Sequence, residues 1–322
     1  MKACVVQELR GPSGIVYTDI DDVGDGGGNI VIEVRAAGVC FPDLLLTKGK
    51  YQLKLQPPFV PGMETAGVVR SAPVESGFRV GERVSAFGVL GCYAEQVAVP
   101  ASNVIRSPDE LDDAEAVSLL VNYNTMYFAL SRRAVMRPGQ TVLVLGASGG
   151  VGTAGVQIAK ALGASQVIGV VHRDAAIDYV KALGADHVVR VARGWVERVL
   201  EQTNGRGVDI VVDPVGGRAF DDAIDVLAID GKLLVVGFAA GSIPTLTVNR
   251  LLLRNVGVLG VAWGEYLNTV PGSAVLFSSG LNQLVTLGLK PPPPQRYPLS
   301  EARAALQSLD QGGVLGKVVL EP

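Results

Sequence analysis

Cysteine and histidine are scarce in this sequence, with three cysteines (Cys4, Cys40, Cys92) and two histidines (His172, His187) in 322 residues. No C-x-x-C or H-x-x-x-H run can be assembled from them, so a closed zinc site has too few ligands and no metal is expected. A small, odd cysteine count also argues against a disulfide framework and suits a reducing cytoplasm. Basic charge is not in excess: 28 Lys and Arg against 31 Asp and Glu leave a net charge of −3. Nothing is therefore spare to neutralise a nucleic-acid backbone or to hold an anionic membrane surface. Long apolar runs are missing too. Mean hydropathy is +0.33, yet Gly or polar residues interrupt every apolar stretch before the roughly 18 residues of a spanning helix. Glu8 and Arg10 stand where an export signal would need its apolar centre. A soluble cytoplasmic protein, acting on a small molecule, is the expectation.

Glycine, by contrast, is abundant at 40 residues, about 12% against a usual 7% or so, and points to many tight turns and close backbone approaches. The length suits about two domains. From Thr141 the chain alternates between strand and helix patterns. TVLVLG (141–146), QVIGVV (166–171), HVVRV (187–191), VDIVVDPVGG (208–217), KLLVVGF (232–238) and VGVLGVAWG (256–264) read as six strands. Segments such as VGTAGVQIAKALG (151–163) and AFDDAIDVLAIDG (219–231) read as helices. Strands apolar on both faces, alternating with helices, predict an α/β fold with a doubly wound, six-stranded parallel Rossmann sheet over residues 119–264. Residues 1–118 carry short β-prone pieces broken by Gly and Pro, which predict an antiparallel, barrel-like domain. Residues 265–322 hold a helix near 265–288, a stiff Pro291–Pro294 spacer, a second helix and a last strand, and complete that first domain.

Between the first Rossmann strand and its helix stand Gly146-Ala147-Ser148-Gly149-Gly150-Val151-Gly152. Counted back from Gly152, a G-x-G-x-x-G template falls on 147, 149 and 152, with Ala147 at the first glycine place. Gly149 would let the backbone approach a pyrophosphate, and Gly152 would let the helix pack on its strand. After the second strand come His172, Arg173 and Asp174. Arg173 can take the 2′-phosphate of NADP, which favours NADPH over NADH; Asp174, two residues displaced from the usual acidic place, is the competing signal.

With these residues in view, the chain resembles the zinc-independent quinone oxidoreductase (zeta-crystallin-like) branch of the medium-chain dehydrogenase/reductase superfamily. The carriers are AAGVCFPDLLLTKGKY (36–51), FVPGMETAGVV (59–69), the 146–152 loop, VDPVGG (212–217), VVGFAAG (235–241) and GKVVLEP (316–322), spread over the whole chain. The resemblance implies a GroES-like catalytic domain built from both termini, a central Rossmann domain, a cleft between them, and a homodimer formed through the sixth strand. In the zinc branch the metal is held by a Cys, a His and a second Cys. Here Cys40 fills the first place, Met63 stands at the second and Val121 at the third, so the resemblance implies no metal.

Carried over by position, Thr125, Val215, Gly237 and Phe238 would line the nicotinamide side. Gly149, Gly150 and Val151 would meet the pyrophosphate, within a cofactor-binding loop that also includes Ala147, Ser148 and Gly152. Tyr51 and the 40–43 segment, with Cys40 and Asp43, would face the substrate; apart from the resemblance, Trp263 and Tyr266 read as an apolar wall for a planar substrate. Three places depart from the family habit: Cys40 for Asn, Ala176 for Lys and Val191 for Tyr, which leaves Arg173, with Arg190 as a second cation, to supply charge for NADPH. The reading is hydride transfer from NADPH to a quinone or enone, with Tyr51 as hydrogen-bond donor to the developing oxyanion. An enoyl reductase acting on a thioester or ketone, and a non-catalytic NADPH sensor, are the alternatives. Core packing for Trp263, a helix-capping role for Asp43, a small buried hydrophobe for Cys40 and a surface tyrosine at 51 are the structural readings of the same residues.

Overall fold

Short β-prone runs separated by Gly and Pro form the first seven strands: β1 (Lys2–Val6), β2 (Ile15–Asp19), β3 (Ile30–Val39), β4 (Glu64–Ser71), β5 (Arg83–Phe87), β6 (Gln96–Val99) and β7 (Val104–Arg106). The computed structural model describes residues 1–88 and 90–322. Six further strands follow: β8 (Thr141–Leu145), β9 (Gln166–Val171), β10 (His187–Arg190), β11 (Val208–Asp213), β12 (Leu227–Val235) and β13 (Gly257–Gly260). The chain then closes with β14 (Gln295–Pro298) and β15 (Val318–Glu321). By contacts, Met1–Val121 joins Gly272–Pro322 in one unit and Asn122–Pro271 forms the other.

In the first unit the strands run in the order β14-β15-β3-β4-β5-β7, with β6 also on β3 and a separate β1-β2 hairpin. Pairing is antiparallel except between β14 and β15, which are parallel; the fully antiparallel expectation is corrected there, because β14 and β15 are joined through an intervening helix rather than a hairpin. The core is drawn from the inward faces of these strands, with Ile30, Ile32, Val34, Val84, Ala86 and Val97 meeting Leu44, Leu306 and Val318. Each fully buried aliphatic side chain of this kind stabilises the fold by about 1.5–3 kcal/mol.

The second unit is a parallel sheet ordered β10-β9-β8-β11-β12-β13. This is the doubly wound order predicted from the strand and helix rhythm. β8 goes next to β9 on one side and to β11 on the other, so the switch point lies between β8 and β11. Open parallel sheets bind ligands outside the carboxyl ends of their strands at such a point.

Three local expectations are corrected. The segment 227–231 belongs to β12 rather than to the preceding helix, which ends at Asp225. It bulges between Val208 and Ile210 of β11, with Asp230 at φ 62° and Gly231 so close to Ala228 O that an added Cβ would stand 2.8 Å away. Pairing with β11 thus overrides a helix-like apolar spacing. β13 stops at Gly260, and Trp263 opens a helix, Trp263–Thr269. The single helix expected near 265–288 is two, Trp263–Thr269 and Ser273–Thr286, broken where Gly272 takes φ 75°.

Candidate functional site

In the second unit, β8 delivers the glycine loop to the switch point. Gly146, at φ 58°, makes the turn, so the conformational role expected at position 147 is carried one residue earlier. Ala147 is fully buried, and its N–H donates to Val170 O at 3.1 Å, which spends it within the fold. A Cβ on Gly152 would lie 2.1 Å from Gly146 O, so only glycine lets the helix Gly150–Ala161 start against this turn. At Gly149 a Cβ would meet nothing nearer than Gly146 O at 3.6 Å. The protein itself does not require glycine there, whereas a close-lying ligand would. Gly149 is the N-cap and offers no side chain to the first-turn amides of Gly150, Val151 and Gly152. Uncapped amides at a helix start form a cradle for an anion, which fits the pyrophosphate of a dinucleotide.

Two more segments end at the same point. Asp213, at the end of β11, is fully buried, and its Oδ1 accepts from the N–H groups of Val215 and Gly216, both at 2.8 Å. Burial pushes its carboxyl up, partly opposed by those two amides. The turn it holds is zippered to the segment after β12: Ala239 N–H donates to Pro214 O at 3.1 Å and Ala240 N–H to Val215 O at 2.9 Å. Val215, Gly237 and Phe238 are thereby brought together, Phe238 37% exposed, and Val215 also abuts Gly146. Thr125 is nearly buried, on the helical turn Asn124–Tyr127. Trp263 is 5% exposed, its ring 5.4 Å from that of Phe128, with Tyr266 4.8 Å from Phe128. That is the geometry of a core cluster.

The corner beyond β9 is electrostatically resolved. His172, Arg173 and Asp174 are exposed. Asp174 Oδ2 lies 2.7 Å from Arg190 Nη1, and Arg190 pairs with Val171 across β10 and β9. Among the described residues, the Arg173 guanidinium has no ion-pair partner, while Arg190 is already engaged. A depression of about 780 Å³ opens at the opposite, amino ends of the strands, around Arg137, Thr141 and Gln166. A parallel sheet gives ligands no reason to choose that end.

The first unit holds a different arrangement, made of buried side chains. Cys40 Sγ donates to Glu64 Oε1 at 3.0 Å. Lys317 Nζ donates to Glu64 Oε1, to Cys40 Sγ at 3.2 Å and to Val39 O at 3.2 Å, so its three N–H directions are used. Glu64 Oε2 accepts from Val121 N–H at 2.7 Å. Glu64 is fully buried and Lys317 6% exposed. Gly38 makes room for them: a Cβ there would stand 2.2 Å from Glu64 Oε1. Burial lowers the Lys317 ammonium, but Cys40 and Glu64 more than offset that, and it stays charged. Burial and the Glu64 carboxylate push the Cys40 thiol well above its usual range, so it is a donor and not a nucleophile.

Asp43 sits beside this pair, fully buried at the third position of the helix Phe41–Thr47. Its Oδ2 accepts from Cys40 N–H at 2.8 Å and from Tyr93 O–H at 3.1 Å, and among the described residues Oδ1 has no partner. The first bond is the helix-capping role foreseen for Asp43. Burial raises its carboxyl to about 7. Tyr51 is half-buried, and burial, then Asp43 and Cys40, raise its phenol, which is held as a neutral donor at neutral pH. Cys40, Asp43 and Tyr51 therefore share one neighbourhood. Glu64, Tyr93 and Lys317 were missed by motif reading. Glu64 and Lys317 had one signal, a charge of either sign in or just before an otherwise apolar strand, in GMETAGVV and GKVVLEP, and Tyr93 had none.

The donor set around Cys40 does not fit zinc. A catalytic zinc needs three protein ligands and an open position, and here a protonated thiol stands against the Lys317 ammonium with Met63 at the expected His place.

Comparison with known proteins agrees with both halves. Residues 150–279 match the family model described as zinc-binding dehydrogenase, and residues 26–109 match the alcohol dehydrogenase GroES-like domain. The chain is 32% identical over 322 residues to quinone oxidoreductase-like protein 2 of Bos taurus, covering 99% of this chain and 92% of that protein. A probable oxidoreductase from Mycobacterium abscessus shares its fold with a TM-score of 0.93 at 56% identity, over 100% of this chain and 99% of that one. The quinone oxidoreductase of Thermus thermophilus, solved also in complex with NADPH, superposes with a TM-score of 0.84 at 35% identity, over 100% of both chains.

Proposed function

We propose that this chain, which belongs to the zinc-independent quinone oxidoreductase branch of the medium-chain dehydrogenase/reductase superfamily and is an oxidoreductase, reduces a quinone or enone with NADPH and without zinc. The observation that carries the reading is the backbone cradle at the switch point, where Gly152 admits no side chain and Gly149 leaves space that the fold does not use. NADPH bound to a full-length relative of the same fold supports the choice of cofactor.

Bound there, the cofactor supplies a hydride, and the chain supplies position. The amides of Gly150, Val151 and Gly152 would hold the pyrophosphate, and Arg173 would take the 2′-phosphate. Val215, Gly237 and Phe238, locked by Asp213 and the 214–240 zipper, would hold the nicotinamide end together with Thr125. Hydride arrival puts negative charge on a substrate oxygen. The Tyr51 phenol, kept neutral by its surroundings, donates a hydrogen bond to that oxygen. Cys40 and Asp43, buried near Tyr51 in the first unit, set the polarity of its surroundings without exchanging electrons. The reading includes a cytoplasmic location, supported by three free cysteines, and a homodimer, supported by the free edge of β13 and by Leu252 and Leu253, 76% and 79% exposed. No helix among the described residues is long and apolar enough to cross a membrane.

The test is the loss of nicotinamide absorbance on mixing the protein with NADPH, or in parallel NADH, and 1,4-benzoquinone, corrected for the uncatalysed rate. Enzyme-dependent oxidation favouring NADPH is expected. Turnover of a crotonyl thioester with indifference to quinone would replace the substrate assignment, and unchanged turnover of Tyr51→Phe at saturating quinone would remove the donor. A monomeric mass in solution would remove the dimer.

A further inference from the structure

Three facts about the β9 corner combine. Arg173, Asp174 and Arg190 are exposed side chains at the carboxyl ends of two adjacent strands, where a dinucleotide's ribose end would lie. Asp174 is the carboxylate that follows β9, the residue type that would accept the 2′-OH of NADH and repel a 2′-phosphate. It is held 2.7 Å from Arg190, on the neighbouring strand β10, and Arg173 is left without an ion-pair partner among the described residues.

We propose that Arg190 sets cofactor choice without touching the cofactor, as a positioning residue that keeps Asp174 occupied and so leaves Arg173 free for a 2′-phosphate. The inference rests on the NADPH reading above. The backbone under this pair is pinned: Val191 N–H donates to Val171 O at 2.8 Å, and Arg198 Nη2 donates to Arg190 O at 2.9 Å. Arg190 therefore presents its side chain from a fixed point beside the end of β9. Without its guanidinium, Asp174 becomes an uncompensated carboxylate next in sequence to Arg173. It then pairs with Arg173 or faces the ribose directly, and each outcome weakens NADPH while leaving NADH the same or tighter. Two motif features that conflict in the sequence, a cation and a carboxylate after the second strand, are thus reconciled by a residue 16 positions further on.

The experiment is equilibrium binding of NADPH and NADH, followed by nicotinamide fluorescence, to the full chain and to Arg190→Gln, Asp174→Asn and the double variant. Exposed charge pairs imply that Arg190→Gln weakens NADPH by about fivefold at low salt, with NADH unchanged or tighter, and that the difference shrinks at high salt. In the Asp174→Asn background, losing Arg190 should change NADPH binding by less than about twofold, because its effect runs through Asp174. Arg190→Lys should retain the wild-type preference. An unchanged NADPH to NADH ratio in Arg190→Gln would overturn the inference. So would the same loss in both backgrounds, which would mean direct contact with the phosphate. If the wild-type chain itself binds NADH as tightly as NADPH, the cofactor reading fails first and the inference goes with it.

Discussion

The glycine cradle of the second unit and the buried charge cluster of the first are built on opposite plans. The cradle is backbone: a positive-φ turn at Gly146, a helix start at Gly150, and amides that need no side chain. The cluster is side chains from four separated segments, Cys40 with Asp43, Glu64, Tyr93 and Lys317, and it works only because each polar atom but one finds a partner away from water. A backbone site is local and tolerates little change of shape. A buried charge site is long-range and tolerates little change of charge.

The comparison is tested most severely at Glu64. Glu64→Ala leaves the Lys317 ammonium buried without its counter-ion and should cost about 3–5 kcal/mol in chemical denaturation. The double change Glu64→Gln with Lys317→Met should recover much of that loss; if the single variant costs under about 1 kcal/mol, the cluster behaves as a surface pair and the contrast fails.

Asp43 comes next. Its carboxyl is raised by burial from 3.8 to about 7 in the folded chain, so the folded state binds the proton more tightly than the unfolded one. Stability from this group is therefore full below about pH 4, declines as pH rises towards 7, and is level above that. The total is on the order of 4 kcal/mol. Denaturation midpoints of wild type and Asp43→Asn, compared at pH 4 to 8, should diverge in that window; parallel curves would show that Asp43 ionises normally.

In the cradle, Gly152→Ala drives a Cβ into Gly146 O and should cost about 1–3 kcal/mol together with cofactor binding. Gly149→Ala is the sharper variant. It meets no close neighbour, so stability should shift by no more than about 1 kcal/mol for the poorer N-cap. NADPH affinity should fall about tenfold, the loss of one close backbone contact. Calorimetry and fluorescence titration separate the two effects, and retained affinity would mean that Gly149 is not the point of approach.

The smallest effect belongs to the surface. Asp174→Asn should move the unfolding midpoint by under about 0.5 kcal/mol, as exposed pairs do, even though the same residue matters to cofactor choice.

How far each half was legible follows from the same physics. All six Rossmann strands were located and three of them, β8, β9 and β10, were readable nearly to their ends, because short apolar runs are a local signal. The misreading of 227–231 came from a helix-like spacing that pairing with β11 overrode. The loop was recognised, but the template's first glycine place fell on Ala147 while the positive-φ turn is at Gly146, since a template records residue types and not φ angles. Cys40, Asp43 and Tyr51 were found through family resemblance. Glu64 and Lys317 passed unnoticed because they stand 253 positions apart and the sequence carries no periodic trace of their contact.

Strand and helix alternation, the glycine loop and the shortage of metal ligands are properties of neighbouring residues, and neighbouring residues suffice to declare them. The free or engaged state of a charge is not such a property. Arg173, just after β9, and Arg190, at the end of β10, are the same residue type at one corner of the sheet, and only the fold, by setting β10 beside β9, gives one of them to Asp174 and leaves the other for a ligand. Coulomb interactions at close range depend on distance in space, and that distance exists only once the strands are paired.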